Sequence, residues 1–177
     1  MKKYELTAEF IEQWGKKLFR IKALISFGSV EAGELGGYVE KEDNLAQDGD
    51  AWVCDNAWVC DNARVYGNAW VYGDARVYGN ARVCDNAWVC DDADYLLIGR
   101  IGSRFSFTTF FKNKDKGITV SCGCFLGTIA EFRAKVTDTH GNNKHAKMYN
   151  LAADMAELQI LGEEYFDKLN TNKSEPF

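Results

Sequence analysis

A chain of 177 residues with 46% apolar residues can form one domain or two small ones around a core of its own, without disulfide staples. Its formal net charge of -5, with eight Asp against three Arg between Asp50 and Asp94, argues against binding of duplex nucleic acid. The longest apolar run near the start, around Ile21 to Phe27, is interrupted by Lys22 and is too short to span a bilayer, so no membrane partner is expected.

Residues 1–20 alternate charge and apolarity and read as a lead-in strand or short cap. The stretch from Phe27 to Val39 is punctuated by glycine, and Val39 and Leu45 stand six apart, which predicts a degenerate first coil. Residues 1–38 are therefore assigned as the N-terminal cap and first coil. The step from Leu45 to Val53 is eight, so a corner there must hold two extra residues, Asp48 and Gly49 being the obvious ones. From Val53 through Ala93 the chain repeats the unit Val-(Cys/Tyr)-(Asp/Gly)-(Asn/Asp)-Ala-(Trp/Arg) without insertion. A six-residue period with one branched apolar residue and one small residue per unit fits neither a helix nor an antiparallel hairpin. Three units, eighteen residues, make one turn of a left-handed parallel β-helix. Tyr95, Gly99 and Ile101 keep the phase, so the repeat is expected to run over 39–101 with one further partial coil.

Beyond it the pattern changes to a hairpin, with strands over Phe105–Phe111 and Ile118–Cys122 around a Lys/Asn/Asp/Gly turn. Thr128-Ile129-Ala130-Glu131 is a capping box that opens a helix with Ile129, Phe132 and Val136 on one face, closed by His140-Gly141. A second helix, Lys144 to about Leu161, is expected to turn Leu151, Met155 and Leu158 inward, and the tail from Asn170 to fray. The predicted fold is mainly β: a left-handed parallel β-helix of hexapeptide repeats with a C-terminal α+β unit over 102–177, a hairpin plus two helices, which would cover one end of the coil.

Within a unit, Val points into the coil and Ala fills the corner, so the residues flanking Val point outward. Folding at eighteen stacks Trp52, Trp70 and Trp88 on one face, Trp58 above Arg76 with Cys60 and Tyr78 on a second, and Arg64, Arg82 and Arg100 with Tyr66 on the third. An indole strip of that size needs cover, from a subunit interface or from the C-terminal unit. Where part of it faces a ligand, Trp70, Trp88, Arg64, Arg82, Arg76 and Tyr78 are the candidate binding residues, offering flat stacking surfaces beside fixed positive charge.

Six Cys invite a disulfide or metal reading, but Cys54 and Cys90 are two coils apart, roughly 9–10 Å at strand spacing, and Cys60 and Cys84 lie on different faces. No secretory h-region follows Met1-Lys2-Lys3, so a reduced, cytosolic protein is expected. Cys122, Cys124, His140 and His145 could be arranged around zinc, and Cys124 with His140 as a nucleophile pair, but Cys-X-Cys lacks knuckle spacing. Corner Asp and Asn side chains are expected to satisfy turn amides and stack as ladders rather than hold calcium. No metal or cofactor is expected.

The unit from Val39 to Ile101 resembles the hexapeptide-repeat superfamily, which includes acyltransferases and γ-class carbonic anhydrases and commonly assembles as parallel threefold trimers. Those activities require His at or near the coils, as general base or as zinc ligands, and the repeat contains none. With Gly36-Gly37-Tyr38-Val39 before the repeat and Ser121-Cys122-Gly123-Cys124-Phe125 and Thr128 to Gly141 after it, the chain is also similar to small hexapeptide-repeat proteins of bacteriophage and prophage genomes. That resemblance implies a phage-encoded protein in the host cytoplasm. The expected function is non-enzymatic: counter-defence by a homotrimer that sequesters a host nucleotide immune signal in intersubunit pockets. The alternatives are an acyl- or nucleotidyl-transferring enzyme using His140, or a structural or protein-binding phage protein.

Overall fold

The third position of six successive repeats turns the chain. In the computed structural model, whose described residues are 1–162, Asp55, Asp61, Gly67, Gly73, Gly79 and Asp85 hold φ between 56° and 71°. Glycine adopts that region freely and Asp at modest cost, whereas a branched side chain meets the following carbonyl. The Asp/Gly alternation at this position is the chemical record of that requirement.

The chain forms two units. The first, Met1–Asp92, opens with β1 (Tyr4–Gln13) and β2 (Lys16–Ala23), followed by β3 (Leu35–Val39) and a 3-10 turn at Glu42–Asn44. Seven two-residue strands come next: β4 (Trp52–Val53), β5 (Trp58–Val59), β6 (Arg64–Val65), β7 (Trp70–Val71), β8 (Arg76–Val77), β9 (Arg82–Val83) and β10 (Trp88–Val89). They stack as three parallel ladders, β4-β7-β10, β3-β5-β8, and β6-β9 with Leu45 bridged to Val65. The amides of Trp52, Trp58, Arg64 and Trp70 donate to the carbonyls of Ala69, Ala75, Ala81 and Ala87 at 2.9–3.0 Å. Every Val from Val53 to Val89 is fully buried, each contributing about 1.5–3 kcal/mol, and Ala packs at each corner. Asp55 and Asp61 accept from the amides of Gly73 and Gly79 in the next coil at 3.1 Å, the expected corner ladder. The unit is a solenoid-like repeat of parallel strands.

The N-terminal segment differs from the expected lead-in. It is a full hairpin, closed by Trp14-Gly15 with positive φ at both residues, and β2 pairs antiparallel with β3 so that the hairpin extends one face of the coil. The two-residue insertion is also placed differently. Ala46 donates to Val65 O as Tyr66 does to Val83 O, and Gly49 stands over Gly67, so Gln47 and Asp48 are the extra residues. They serve as a socket for the N-terminus. Gln47 accepts from Lys3 N at 2.8 Å, and the Lys3 ammonium donates to the carbonyls of Asp48, Gly49 and Ala51. The hydroxyl of fully buried Tyr4 shares its one proton between Glu42 O and Leu45 O, at 2.9 and 2.8 Å.

The second unit begins at Ala93. The further partial coil expected through Tyr95, Gly99 and Ile101 does not form. Tyr95-Leu96-Leu97-Ile98 offers no Asp or Gly at the turning position, so the strand runs on as β11 (Tyr95–Ile101) and pairs antiparallel with β12 (Ser106–Lys112). Strand β13 (Ile118–Cys122) completes the expected hairpin, and β14 (Phe125–Thr128), which the sequence reading missed, adds a fourth strand. Helices α1 (Ile129–His140) and α2 (Lys144–Leu161) follow, α1 opening on the Thr128/Glu131 capping box. On α1 the expected face is inward, with Phe132 and Val136 buried. On α2 it is not: Leu151, Met155 and Leu158 are exposed, and Ala146, Tyr149, Ala152, Ala153, Ala156 and Ile160 are buried instead. Alanines let a helix approach its neighbours closely, and the Arg133 guanidinium fixes the rotation by holding both Asp154 and Glu157 of α2 at 2.7 Å. The tail from Asn170 lies outside the described residues.

All six cysteines are free thiols. Burial pushes the Cys54 and Cys60 thiols up to about 12 and raises that of Cys84, while Cys124 is exposed. Iodoacetamide at pH 8 is expected to modify Cys124 and to leave Cys60 and Cys84 untouched until denaturant opens the coil, with a melting temperature indifferent to reductant. Peptide mass spectrometry reads the labelling, and rapid native labelling of Cys60 or Cys84 would contradict the packing. Tyr4→Phe removes the one buried hydroxyl proton shared by Glu42 O and Leu45 O and should cost about 1–3 kcal/mol in urea unfolding. A shift below about 0.5 kcal/mol would show that the hydroxyl does not anchor the hairpin.

Candidate functional site

Three columns of side chains leave the coil of the first unit, and their surroundings differ. On the β6-β9 face Arg64 and Arg82 stand in register, one strand spacing apart, roughly 4.8 Å, and both are exposed. Like charges directly opposite each other on a sheet repel. Below them the 3-10 turn at Glu42–Asn44 overhangs the face, held by the buried Asn44 amide, which donates to Ala63 O at 2.8 Å. The overhang makes a groove of about 450 Å3 lined by Glu42, Asp43, Gln47, Arg64, Tyr66 and Arg82 among others. Glu42 is held by Lys2 at 2.7 Å, and Arg64 forms no ion pair among the described residues.

The Trp column is covered only at its first coil. Trp52 is fully buried, with Tyr4 and Phe27 edge-on at 6.4 and 5.3 Å, whereas Trp70 is half-buried and Trp88 is 47% exposed. Cover therefore comes from the N-terminal segment and stops after one coil. Tyr72 lies 6.0 Å from Trp88 and continues the aromatic surface.

The remaining candidates are engaged elsewhere. Trp58 is buried under Trp14 and Leu18, and Tyr78 packs edge-on against Trp14 at 5.3 Å. The Arg76 guanidinium approaches Asp92 at 3.9 Å. The coil thus brings Arg64 and Arg82 together, sets Trp70 and Trp88 on another face, and leaves Arg76 and Tyr78 on the third. Arg100 lies on β11 in the second unit, outside the Arg column. The sequence reading named Tyr66 beside the Arg column but not the groove, whose only sequence signal was the eight-residue step at Leu45.

Cys122, Cys124, His140 and His145 do not converge on a metal-sized point. The cluster that does so among the described residues is Glu40, Cys60 and Asp61, and a lysine ammonium already sits in it: Lys16 bonds Asp61 closely and Glu40 at 3.4 Å. The cluster is therefore a hairpin-to-coil ion pair. In the second unit, Cys122 accepts from the Thr108 hydroxyl at 3.2 Å, and the His140 ring stacks on Tyr149 at 5.8 Å.

Parallel coils of this kind mark a solenoid-like repeat protein, and comparison with known families agrees. Residues 57–73 and 75–91, two adjacent repeats, match the YdcK Beta solenoid repeat. The likeness lies in the repeat and covers well under half of the chain. No curated protein matches. Among the described residues, no helix is long and apolar enough to cross a membrane.

The Lys16 hydrogen bond holds the Asp61 carboxyl below its ordinary value despite partial burial. A depressed carboxylate pKa stabilises the fold above the unfolded value, near 4, and that contribution disappears as pH falls through the lower folded value. Lys16→Met should therefore lower the urea midpoint at pH 7 and have little effect near pH 2. Equal losses at both pH values would mean that Lys16 acts through packing alone.

Proposed function

We propose that this chain is a phage-encoded, non-enzymatic binding protein of the bacterial cytoplasm, a trimer of left-handed coils that sequesters a host nucleotide immune signal in intersubunit pockets. The stacked Arg64 and Arg82 side chains carry the proposal. Two exposed guanidiniums in register, one strand apart, concentrate positive charge on this face, and phosphate oxygens accept from such a pair in charge-assisted bonds. Tyr66 in the same groove supplies a flat ring for a base.

Trp70 and Trp88 extend this into an assembly. They leave the coil from a different face than the Arg column, so a pocket using both takes one face from each of two copies. A threefold axis parallel to the stack supplies that juxtaposition three times and covers the exposed Trp88 indole. The six-residue period supports the left-handed coil, and the absence of His from the repeat favours binding over acyl transfer.

Calorimetric titration with cyclic and ADP-ribose-derived nucleotides tests the proposal. Arg82→Ala and Trp70→Ala, each first shown to remain trimeric by light scattering, should weaken binding by about one to two orders of magnitude, in line with roughly 1–3 kcal/mol per stacked base. After heat denaturation the nucleotide should be recovered chemically unchanged. A cleaved product would make the protein an enzyme, and a monomer that binds none of these nucleotides would favour a structural role.

A further inference from the structure

The second unit holds a separate cavity of about 200 Å3, formed by the β11–β12 connection, the β13–β14 turn and the two helices. Its lining is chemically one-sided. Arg104, Lys135 and His140 contribute basic groups, Phe125, Phe132 and Tyr149 contribute rings, and no carboxylate takes part. In a chain of net charge -5 that separation needs a reason.

The local backbone is shaped to admit it. Gly123 opens the two-residue β13–β14 turn at φ 63°, and a Cβ there would stand 3.2 Å from an Arg104 guanidinium nitrogen, so the missing side chain gives the guanidinium its place. Among the described residues Arg104 has no ion-pair partner. Lys135 has only Asp138, at 3.4 Å between two well-exposed side chains, a contact easily exchanged. Behind these groups Phe125 and Tyr149 both pack against Phe132 at 5.6 Å, and His140 stacks on Tyr149, giving an aromatic wall next to the cationic edge.

We infer that this cavity binds a small phosphate monoester with a compact aromatic or apolar body. The dianion accepts from the Arg104 fork, the Lys135 ammonium and a His140 ring N–H, while the body lies against Phe125, Phe132 and Tyr149. The cavity is smaller than the roughly 300–1,000 Å3 of sites for drug-sized ligands, which excludes an intact dinucleotide and separates this site from the coil groove.

Phenyl phosphate is a suitable probe, titrated into the full chain by calorimetry or by chemical shifts, with inorganic phosphate and benzoate alongside. Phenyl phosphate should bind saturably and in equimolar ratio, more tightly than either control. Arg104→Gln and Lys135→Gln should each weaken it by about tenfold or more, because each removes a charge-assisted bond. Both side chains are exposed, so the variants should fold, as circular dichroism and a melting curve will report. The unmodified chain gives an independent readout: Cys124 lines the cavity, and phenyl phosphate should slow its alkylation. Arg82→Ala should leave this binding unchanged, which separates failure here from failure at the coil. Absence of saturation at millimolar concentration, indifference to Arg104→Gln, or equal binding of inorganic phosphate or benzoate would each overturn the assignment.

Discussion

Everything in the first unit depends on a single backbone requirement, a positive φ once every six residues. Without it the two-residue strands could not turn often enough to stack, the Val column could not close on itself, and each strand would run on, as β11 does where the requirement is unmet. Where it is met, the amide of one coil reaches the carbonyl of the next at every strand. Side chains eighteen residues apart then become neighbours. The Arg column, the Trp column and the corner ladders are all consequences of that spacing.

The hairpin decides which of those neighbours remain available. By pairing β2 with β3 and inserting Lys3 and Tyr4 into the enlarged corner, it buries Trp52 and Trp58 and leaves Trp70, Trp88, Arg64 and Arg82 on the surface. The enlarged corner has a second effect. The same segment that receives the N-terminus overhangs the Arg face and turns a flat column into a groove. Anchoring of the hairpin and the wall of the Arg groove therefore share the stretch from Glu42 to Gln47.

How much of this was legible in the sequence varied with how local the cause was. The repeat, its three columns, the eight-residue step, the capping box and both helices follow from spacing and turn chemistry, and the structure has them. The rotation of α2 did not follow, because large apolar residues at Leu151, Met155 and Leu158 outweigh alanines in any periodicity argument. Burial was decided by how closely Ala152, Ala153 and Ala156 allow the helix to approach. The cover over Trp52 was unreadable for a similar reason: it arises from contacts with Tyr4 and Phe27, 48 and 25 positions away, that share no pattern with it. Of the candidate site, the Arg64–Arg82 pairing was legible from the period, whereas the groove and the cationic cavity around Arg104 depend on loops that no period describes.

The corner requirement can be tested at Asp85, the last corner with positive φ, which stands above Gly67 in the stack. Glycine there relieves the strain of the left-handed conformation, while valine adds to it, so the two substitutions should move stability in opposite directions. In urea unfolding, Asp85→Gly should match or exceed the parent chain, and Asp85→Val should fall about 1–2 kcal/mol below Asp85→Gly. Equal stability for the two variants would mean that the corners do not impose the left-handed backbone on which the coil depends.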